Sequence, residues 1–320
     1  MTRVLLHNDQ TSELAAQLRA AMPDVVCETC ESYDGLDAKV QAFEPEVVYS
    51  VRFAGTAGFP QAALFRPGGP RWVANGGAGT DHFGIWDTQS VTVTNAAGVA
   101  AGMMAEYILG AFLHFNLDVP GLQQDQAARR WDPKRLVAPL QRRTLLIVGL
   151  GHTGRALAKR AAAFGMHVIG TRARPADTEG VDEVHHADSL PSLLPQADFI
   201  AVCTPLLPST RGLLSADLLN ACKPGAVLAD VSRGGVVAQD AVLENLRNGR
   251  LRGAALDVFE TEPLPGTSPL WSAPNLLISP HCSSVYAEWG AASFALFLDN
   301  LKRWRAGEIL RNIVDPVRGY

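Results

Sequence analysis

Short apolar runs alternate with helical stretches from residue 3 onward. The runs RVLLH, VVYSV, RWVAN and VTVTN have the length of β-strands and are bounded by Gly or Asn turns. The stretch SELAAQLRAAM, between the first two runs, is predicted to be a helix, and a more apolar helix is predicted at about residues 100 to 117. This alternation is typical of a parallel sheet with crossover helices.

The second half of the chain repeats the pattern more clearly. Strands are predicted at TLLIVGL (144 to 150), HVIGT, FIAVC, AVLADVS, GAALDV and LLISP, and helices at about 153 to 164 and near LPSLLPQA and SADLLNAC. A last amphipathic helix is predicted at about 284 to 306 and is expected to pack back on the N-terminal region. The predicted domains are therefore 1–97 plus 285–320, which is discontinuous, and 98–284.

Size and composition agree with two globular domains. The chain has 320 residues, 47% of them hydrophobic, and a typical domain has ~150. A net charge of −4 gives no reason to expect nucleic acid or an anionic membrane as a partner. No secretory signal is visible, and the longest apolar run, residues 100 to 115, contains Glu106 and is shorter than the ~20 residues that span a bilayer. We therefore expect a cytoplasmic protein.

The cysteines and histidines do not predict a metal centre. Five cysteines are scattered along the chain and should be reduced in the cytosol. Cys27 and Cys30 form a lone C-x-x-C with no second pair to complete a zinc site. His185 and His186 are adjacent, so their side chains diverge, and a solvated or capping role is expected. No metal site is predicted.

A glycine-rich turn follows the strand that begins at residue 144. Gly149, Gly151 and Gly154 form G-x-G-x-x-G between a strand and a helix, followed by a second strand at the expected distance. This context is typical of a dinucleotide-binding turn, in which the glycines allow a tight turn, close approach of the pyrophosphate and close helix packing. The helix N-terminus offers N–H groups and partial positive charge to the phosphates. The alternative is an ordinary glycine-rich turn.

Positive charge stands where a ribose-binding acid is expected. The strand HVIGT ends at Thr171 and is followed by Arg172 and Arg174, whereas an NAD site usually has an acid at this place. A guanidinium pairs with the 2′-phosphate of NADP and stacks on adenine, and the Thr171 hydroxyl would add a donor. The sequence predicts a preference for NADP(H) with NAD(H) possible, unless the two arginines belong to a solvated loop.

Three segments further along carry candidate chemistry. VSRGGVV, ALDVFETEPLP and ISPHCSS each lie at the end of an apolar strand, and such strand ends face the ligand crevice in an open α/β sheet. Arg233, Glu262 and His281 are therefore expected to converge at the nicotinamide. Alone, each has a plainer explanation: a helix cap for Arg233, a surface salt bridge for Glu262 and a buried, capped His281.

Together these motifs resemble the D-isomer-specific 2-hydroxyacid dehydrogenase family, which includes glyoxylate/hydroxypyruvate reductases. The resemblance covers nearly the whole chain, from GGAGTDHFGI and VTVTNAAG through TLLIVGLGHTGRALA to PHCSS. It implies an α/β fold of two Rossmann/flavodoxin-like domains with parallel sheets and the active site in the cleft between them. It also implies a homodimer, and Trp131 is expected at the interface or in the partner's site.

The resemblance assigns the roles of site residues. Arg233 would bind the substrate carboxylate and polarise the keto group, His281 would be the acid/base, and Glu262 would pair with it. Arg52 and the backbone amides of Ala78 and Gly79 would contact the substrate. Cofactor contacts would come from Asp257, near the nicotinamide amide, from His281, from the motif and arginine segment described above, and from His152, Thr153, Cys203, Thr204, Pro205, Thr210, Val231, Ser232 and Ser283.

Elementary chemistry supports these roles. Reduction of a 2-keto acid delivers hydride to carbon and a proton to oxygen, and histidine titrates in the range that suits the proton donor. A carboxylate beside it favours the imidazolium and keeps the acid loaded at neutral pH. A planar guanidinium holds a carboxylate bidentately. The sequence departs from the family's frequent Tyr-Asp at the NAD-ribose position, and Cys282 directly follows His281.

The sequence thus predicts NADPH-dependent reduction of a small 2-keto acid, of the glyoxylate or hydroxypyruvate class, to the D-2-hydroxy acid. Three alternatives remain: a dinucleotide-sensing, corepressor-like binding protein, a dehydrogenase of another small acid using NAD, and formate or phosphite oxidation. Formate enzymes place glutamine where Glu262 stands. The substrate side chain would be recognised by loops around residues 52 to 56, 76 to 80 and 285 to 289.

Overall fold

The computed structural model describes residues 1–53, 56 and 58–319. The chain forms two compact units. Unit 1 consists of Met1–Val99 and Tyr286–Tyr320, and unit 2 of Ala100–Val285. Both are α/β units built on parallel sheets, which confirms the predicted fold class.

Unit 1 contains a five-stranded parallel sheet in the order β2-β1-β3-β4-β5. Its strands are β1 (Arg3–His7), β2 (Val26–Cys30), β3 (Val47–Ser50), β4 (Trp72–Asn75) and β5 (Thr92–Thr94). Its helices are α1 (Thr11–Ala21), α2 (Leu36–Phe43), α3 (Gln61–Leu64) and, from the end of the chain, α10 (Trp289–Ala306). All five strands point the same way, so the loops after their carboxyl ends lie at one edge of the sheet.

The last helix packs into the core of unit 1. Phe294, Phe297 and Leu301 of α10 are buried in one cluster with Val4 and Trp72 of the sheet. The helix begins at Trp289, five residues later than the predicted start at 284. The preceding residues form turns, because the Ser283 N–H donates to the carboxylate of Asp257 instead of a helical acceptor.

Unit 2 contains a seven-stranded parallel sheet in the order β12-β11-β10-β9-β6-β7-β8. Its strands are β6 (Thr144–Val148), β7 (His167–Thr171), β8 (Glu183–His185), β9 (Phe199–Val202), β10 (Ala226–Asp230), β11 (Leu251–Leu256) and β12 (Leu276–Ile278). Its helices are α4 (Ala101–Asn116), α5 (Val119–Ala127), α6 (His152–Ala163), α7 (Leu190–Leu193), α8 (Ala216–Asn220) and α9 (Gln239–Arg247). The strand order reverses between β6 and β9, which is where open α/β sheets form their ligand crevice.

The apolar helix predicted at 100 to 117 is α4. Ile108 and Phe112 are fully buried and belong to the same core cluster as Leu157 and Ala161 of α6. The part of α4 that packs against its neighbours is therefore apolar. This packing explains the apolar composition of the helix. No helix in the described part of the chain combines the length and the hydropathy that crossing a bilayer requires.

Candidate active site

The glycine-rich turn has the geometry that each glycine position demands. Gly149 has a φ of 103°, in the region that favours glycine, and a Cβ there would lie 3.0 Å from the Thr204 amide nitrogen. A Cβ at Gly154 would lie 2.1 Å from the Gly149 carbonyl oxygen, so α6 can approach the turn only with glycine. Around Gly151 the space for a Cβ is open among the described residues, as close approach of a pyrophosphate needs.

Helix α6 presents its uncapped N-terminus at this turn. Gly151 is the N-cap and provides no side chain, so the N–H groups of the first turn remain available to an anion. His152 and Thr153 are the first two helical residues, and the Thr153 hydroxyl donates to Met104 Sδ at 3.5 Å. Partial burial and the charge of Arg155 hold the pKa of His152 below its usual value.

The predicted 2′-phosphate residues follow strand β7. The Arg172 N–H donates to the His185 carbonyl of β8 at 3.0 Å, which fixes the backbone at this point. The Arg172 side chain is half-buried and that of Arg174 is exposed. Thr171 is 1% exposed, and its predicted contact with the 2′-phosphate stays a prediction.

The loop after β9 approaches the glycine turn. The Cys203 N–H donates to the Val148 carbonyl at 2.9 Å, and the Cys203–Thr204 peptide is the one that Gly149 contacts. The Thr210 hydroxyl donates to the Pro205 carbonyl at 2.6 Å and accepts the Leu207 N–H at 2.7 Å. The Thr210 hydroxyl is thus engaged within the loop, and the predicted cofactor contacts of residues 203 to 205 and Thr210 stay predictions.

The segment after β10 is held by a buried carboxyl group. Asp230 Oδ1 accepts both the N–H (2.9 Å) and the hydroxyl (2.5 Å) of Ser232. Burial, assisted by the charge of Asp257, raises the pKa of Asp230 to about 7. Val231 and Ser232 are buried, whereas Arg233 is partly exposed and its Nη1 donates to the Ser232 carbonyl at 2.7 Å. The arginine therefore projects from a rigid, internally bonded turn.

Glu262 and His281 lie in direct contact. The His281 Nδ1 donates to Glu262 Oε2 at 2.8 Å, and Glu262 Oε1 accepts the Phe259 N–H at 2.9 Å. Partial burial acts to raise the pKa of Glu262, but the bonds from His281 and Phe259 and the charge of Arg233 outweigh it and hold the pKa below its usual value. The positive charge of Arg233 thus acts on the Glu262 carboxylate, which is hydrogen-bonded to the His281 imidazole.

Asp257 holds the turn that carries His281. Its buried carboxylate accepts the Ser279 hydroxyl (2.5 Å) and the N–H groups of Cys282 (2.9 Å) and Ser283 (3.0 Å). Its carbonyl accepts the His281 N–H at 2.9 Å. These bonds fix His281 in a left-handed conformation, with a φ of 53°, that a non-glycine residue rarely adopts. The predicted nicotinamide contact of Asp257 stays a prediction.

Tyr107 extends this network into α4. Because Ser279 donates to Asp257, the Tyr107 hydroxyl donates to Ser279 Oγ, at 2.7 Å. Burial raises the pKa of Tyr107 to about 12, so the phenol keeps its proton at neutral pH.

In unit 1 the loop after β4 contains Ala78 and Gly79. Asn75 Nδ2 donates to the carbonyls of Gly77 (3.0 Å) and Gly79 (2.8 Å), and Asn95 Nδ2 donates to the Ala78 carbonyl at 2.7 Å. The amides of Ala78 and Gly79 donate to no acceptor among the described residues. Successive backbone N–H groups in a turn are a common way for proteins to bind an anion.

The other predicted substrate elements are described in part. Arg52 is exposed after the carboxyl end of β3. Residues 54 and 55 of the predicted loop at 52 to 56 lie outside the described residues. The C-x-x-C thiols of Cys27 and Cys30 lie on β2 and face opposite sides of the strand, with Cys30 the more buried.

Several residues of the site were not predicted from the sequence. They are Asp230, Tyr107, Ser279, Asn75 and Asn95. Two of these had a readable signal, since Asn75 and Asn95 are polar residues that end the runs RWVAN and VTVTN. Tyr107 and Ser279 lie 172 positions apart, and no sequence spacing relates them.

A family model described as "D-isomer specific 2-hydroxyacid dehydrogenase, NAD binding domain" matches residues 109–283. This range contains the glycine turn, Arg233, Glu262 and His281, and it identifies a nicotinamide dinucleotide-binding domain.

Similar proteins have related activities in their names. D-3-phosphoglycerate dehydrogenase of Methanocaldococcus jannaschii is 31% identical over 250 residues, which cover 76% of this chain but only about half, 47%, of that protein. Glyoxylate/hydroxypyruvate reductase B of Pectobacterium carotovorum is 33% identical over 72% of this chain and 76% of its own length.

A solved structure is similar over the full length. The D-isomer specific 2-hydroxyacid dehydrogenase of Xanthobacter autotrophicus, in complex with NADPH and MES, has a TM-score of 0.85, 31% identity and coverage of 100% of both chains. The resemblance drawn from the sequence motifs is confirmed: this chain belongs to the D-isomer specific 2-hydroxyacid dehydrogenase family of oxidoreductases.

Proposed function

We propose that this protein reduces a small 2-keto acid of the glyoxylate or hydroxypyruvate class to the D-2-hydroxy acid, with NADPH as reductant. The observation that carries the proposal is the 2.8 Å contact between His281 and Glu262, with the charge of Arg233 acting on the same carboxylate. The name of the reductase from Pectobacterium carotovorum supports the substrate class.

His281 is the proposed proton donor. Its Nδ1 is bonded to Glu262, so Nε2 is the ring atom that gives a proton to the keto oxygen. NADPH, when bound at the glycine turn, would supply the hydride for the carbon of the keto group. The imidazole ends the step neutral, still bonded to Glu262, and recovers its proton from solvent. Glu262 stabilises the imidazolium before the transfer, as a carboxylate does for a histidine acid.

Arg233 is proposed to bind the substrate carboxylate and polarise the keto group. Its backbone is fixed by the Asp230–Ser232 bonds, which gives the guanidinium a defined origin. The amides of Ala78 and Gly79 and the side chain of Arg52, which follow the carboxyl ends of strands β4 and β3, are proposed as further substrate contacts. We accordingly propose that unit 1 contributes contacts to the substrate and that unit 2 binds the cofactor and carries Arg233 and His281.

Preference for NADP(H) over NAD(H) rests on Arg172 and Arg174. They follow the strand after the glycine turn, where an acid would bind the ribose of NAD. The half-buried position of Arg172 and its fixed backbone suit pairing with a 2′-phosphate. NADPH is the cofactor in the similar structure from Xanthobacter autotrophicus.

We further propose a cytosolic homodimer. Trp131 is 91% exposed and Leu136 is 90% exposed in the segment after α5. Contiguous exposed apolar patches mark protein interfaces, and we propose that these two side chains belong to such a patch. The five cysteines are free thiols in the structure, as the reducing cytosol requires.

A panel of 2-keto acids assayed with NADPH and with NADH tests the proposal. Glyoxylate and hydroxypyruvate should be reduced, and faster with NADPH than with NADH. His281→Ala should remove most of this keto acid reduction. Tight NADPH binding without turnover of any keto acid would favour a dinucleotide-sensing protein. Oxidation of formate or phosphite in place of keto acid reduction would contradict the substrate class.

A further inference from the structure

Gln239, the first residue of α9, holds the turn that carries Glu262. Its side chain is buried; Nε2 donates to the Val258 carbonyl at 2.9 Å, and Oε1 accepts the Glu260 N–H at 3.4 Å. The two bonds lie on either side of Phe259, whose own N–H donates to Glu262 Oε1 at 2.9 Å. One amide thus links α9 to both peptides flanking the residue that anchors Glu262.

Gly234 also packs against this turn. A Cβ at this position would lie 2.0 Å from the Phe259 carbonyl oxygen and 2.2 Å from its carbon, so the two backbones are in contact. Gly234 directly follows Arg233. The turn from residue 258 to 262 therefore has no room to move toward the arginine segment, and its remaining freedom is restrained by the Gln239 amide.

We propose that Gln239 is a positioning residue that sets the geometry of the Glu262–His281 pair. The inference rests on the proposed function and extends it to a residue that does not touch the substrate. Removal of the amide takes the partner from the buried Val258 carbonyl and from the part-buried Glu260 N–H, so the turn is free to shift toward other partners. A shift of about 1 Å in a catalytic group can cost roughly a hundredfold in rate.

Two variants separate the amide from the volume of the side chain. Gln239→Met keeps the length and removes both hydrogen bonds. Gln239→Glu keeps the acceptor for Glu260 and regains the donor for Val258 only when protonated. Asp240→Asn is the matched control, since Asp240 is the next residue of α9 and is exposed.

We expect kcat of Gln239→Met to fall roughly tenfold or more, with the KM for NADPH unchanged. The alkaline limb of its kcat/KM profile should move to lower pH, because a displaced Glu262 supports the imidazolium less. The kcat of Gln239→Glu should approach the wild-type value toward acidic pH, where the carboxyl group regains its proton. The kcat and the pH profile of Asp240→Asn should match those of the wild type. A merely structural role would lower the melting temperature without moving the pH profile.

A Gln239→Met enzyme with wild-type kcat and an unmoved alkaline limb would overturn the proposal, whatever its melting temperature. The NMR titration of the His281 ring in the wild type and in Gln239→Met gives a readout that needs no turnover. An unchanged titration there overturns the positioning role. Absence of keto acid reduction in the wild type, with a titration that does change, overturns the proposed function alone.

Discussion

The Nδ1 atom of His281 lies 2.8 Å from Oε2 of Glu262, which leaves Nε2 as the ring nitrogen that the carboxylate does not hold. This arrangement makes His281→Ala the most direct test of the mechanism. We expect kcat to fall by roughly two to four orders of magnitude, the usual range for a positioned acid, while NADPH binding measured by fluorescence persists. Activity within a few-fold of the wild type would remove His281 from the mechanism.

Glu262→Gln tests the partner of the imidazole. The amide cannot stabilise the imidazolium as a carboxylate does, so the alkaline limb of the kcat/KM profile should shift to lower pH. The Glu262 pKa is held below its usual value, so the wild-type carboxylate keeps its charge across the assay range and should add no limb near neutrality. Coincident alkaline limbs for wild type and variant would count against the pairing.

Arg172→Asp tests the cofactor preference. A hydrogen bond that involves a charged group contributes ~1.5–3 kcal/mol, about ten- to a hundredfold in affinity. The KM for NADPH should therefore rise at least tenfold, whereas NADH should be bound better, because an acid accepts the ribose hydroxyls. The kcat at saturating cofactor should change little.

Arg174→Asp should have the same direction with a smaller effect, since Arg174 lies farther from the end of β7. Lys159→Asp is the control: Lys159 is an exposed cation on α6, and its replacement makes the same change in net charge. All KM values are compared at one ionic strength, because salt screens phosphate contacts. If Arg172→Asp raises the KM for NADPH and the KM for NADH equally, residues 172 to 174 do not bind the 2′-phosphate.

Asp230→Asn tests the buried carboxyl. Burial raises its pKa from 3.8 to about 7. Between those values the folded protein keeps a proton that the unfolded chain has lost, so the free energy of unfolding falls as pH rises through this window. Asparagine does not titrate, so the variant should gain stability relative to the wild type between pH 5 and pH 8. Urea unfolding of the wild type and the variant at pH 5 and at pH 8 measures the difference in their free energies of unfolding. Asp177→Asn, at an exposed aspartate, is the control. A difference between wild type and Asp230→Asn that is the same at both pH values would contradict the raised pKa of Asp230.

The arrangement of strands could be predicted because buried parallel strands are continuous apolar runs. The runs that end at Val148, Thr171 and Asp230 each correspond to a strand of the sheet. Strands β2 (VCETC) and β8 (EVH) have no such pattern, because both are sheet edges and keep polar side chains in solvent. Helix α9 had a readable amphipathic pattern in QDAVLENLR, with Val242 and Leu246 buried at helical spacing.

Site residues could be predicted from the sequence only where the type of residue itself indicates a chemical role. An arginine, a glutamate and a histidine after apolar strands indicate a reaction, and the glycine motif indicates a phosphate. Asp230 Oδ2 is buried with no hydrogen-bond partner among the described residues, and His281 has a left-handed backbone. Both features depend on groups from several strands that meet only in the folded chain. No local pattern in the sequence contains that information.

The loop at residues 77 to 79 has a consequence for mutational scanning. Its proposed ligands are main-chain N–H groups, which every substitution except proline preserves. An alanine scan across the loop would therefore be nearly silent, although the loop is proposed to bind the substrate. The sensitive positions should be Asn75 and Asn95, whose amides hold the three carbonyls of the loop. A deep mutational map of this protein would thus mark the binding loop by two asparagines that never touch the ligand.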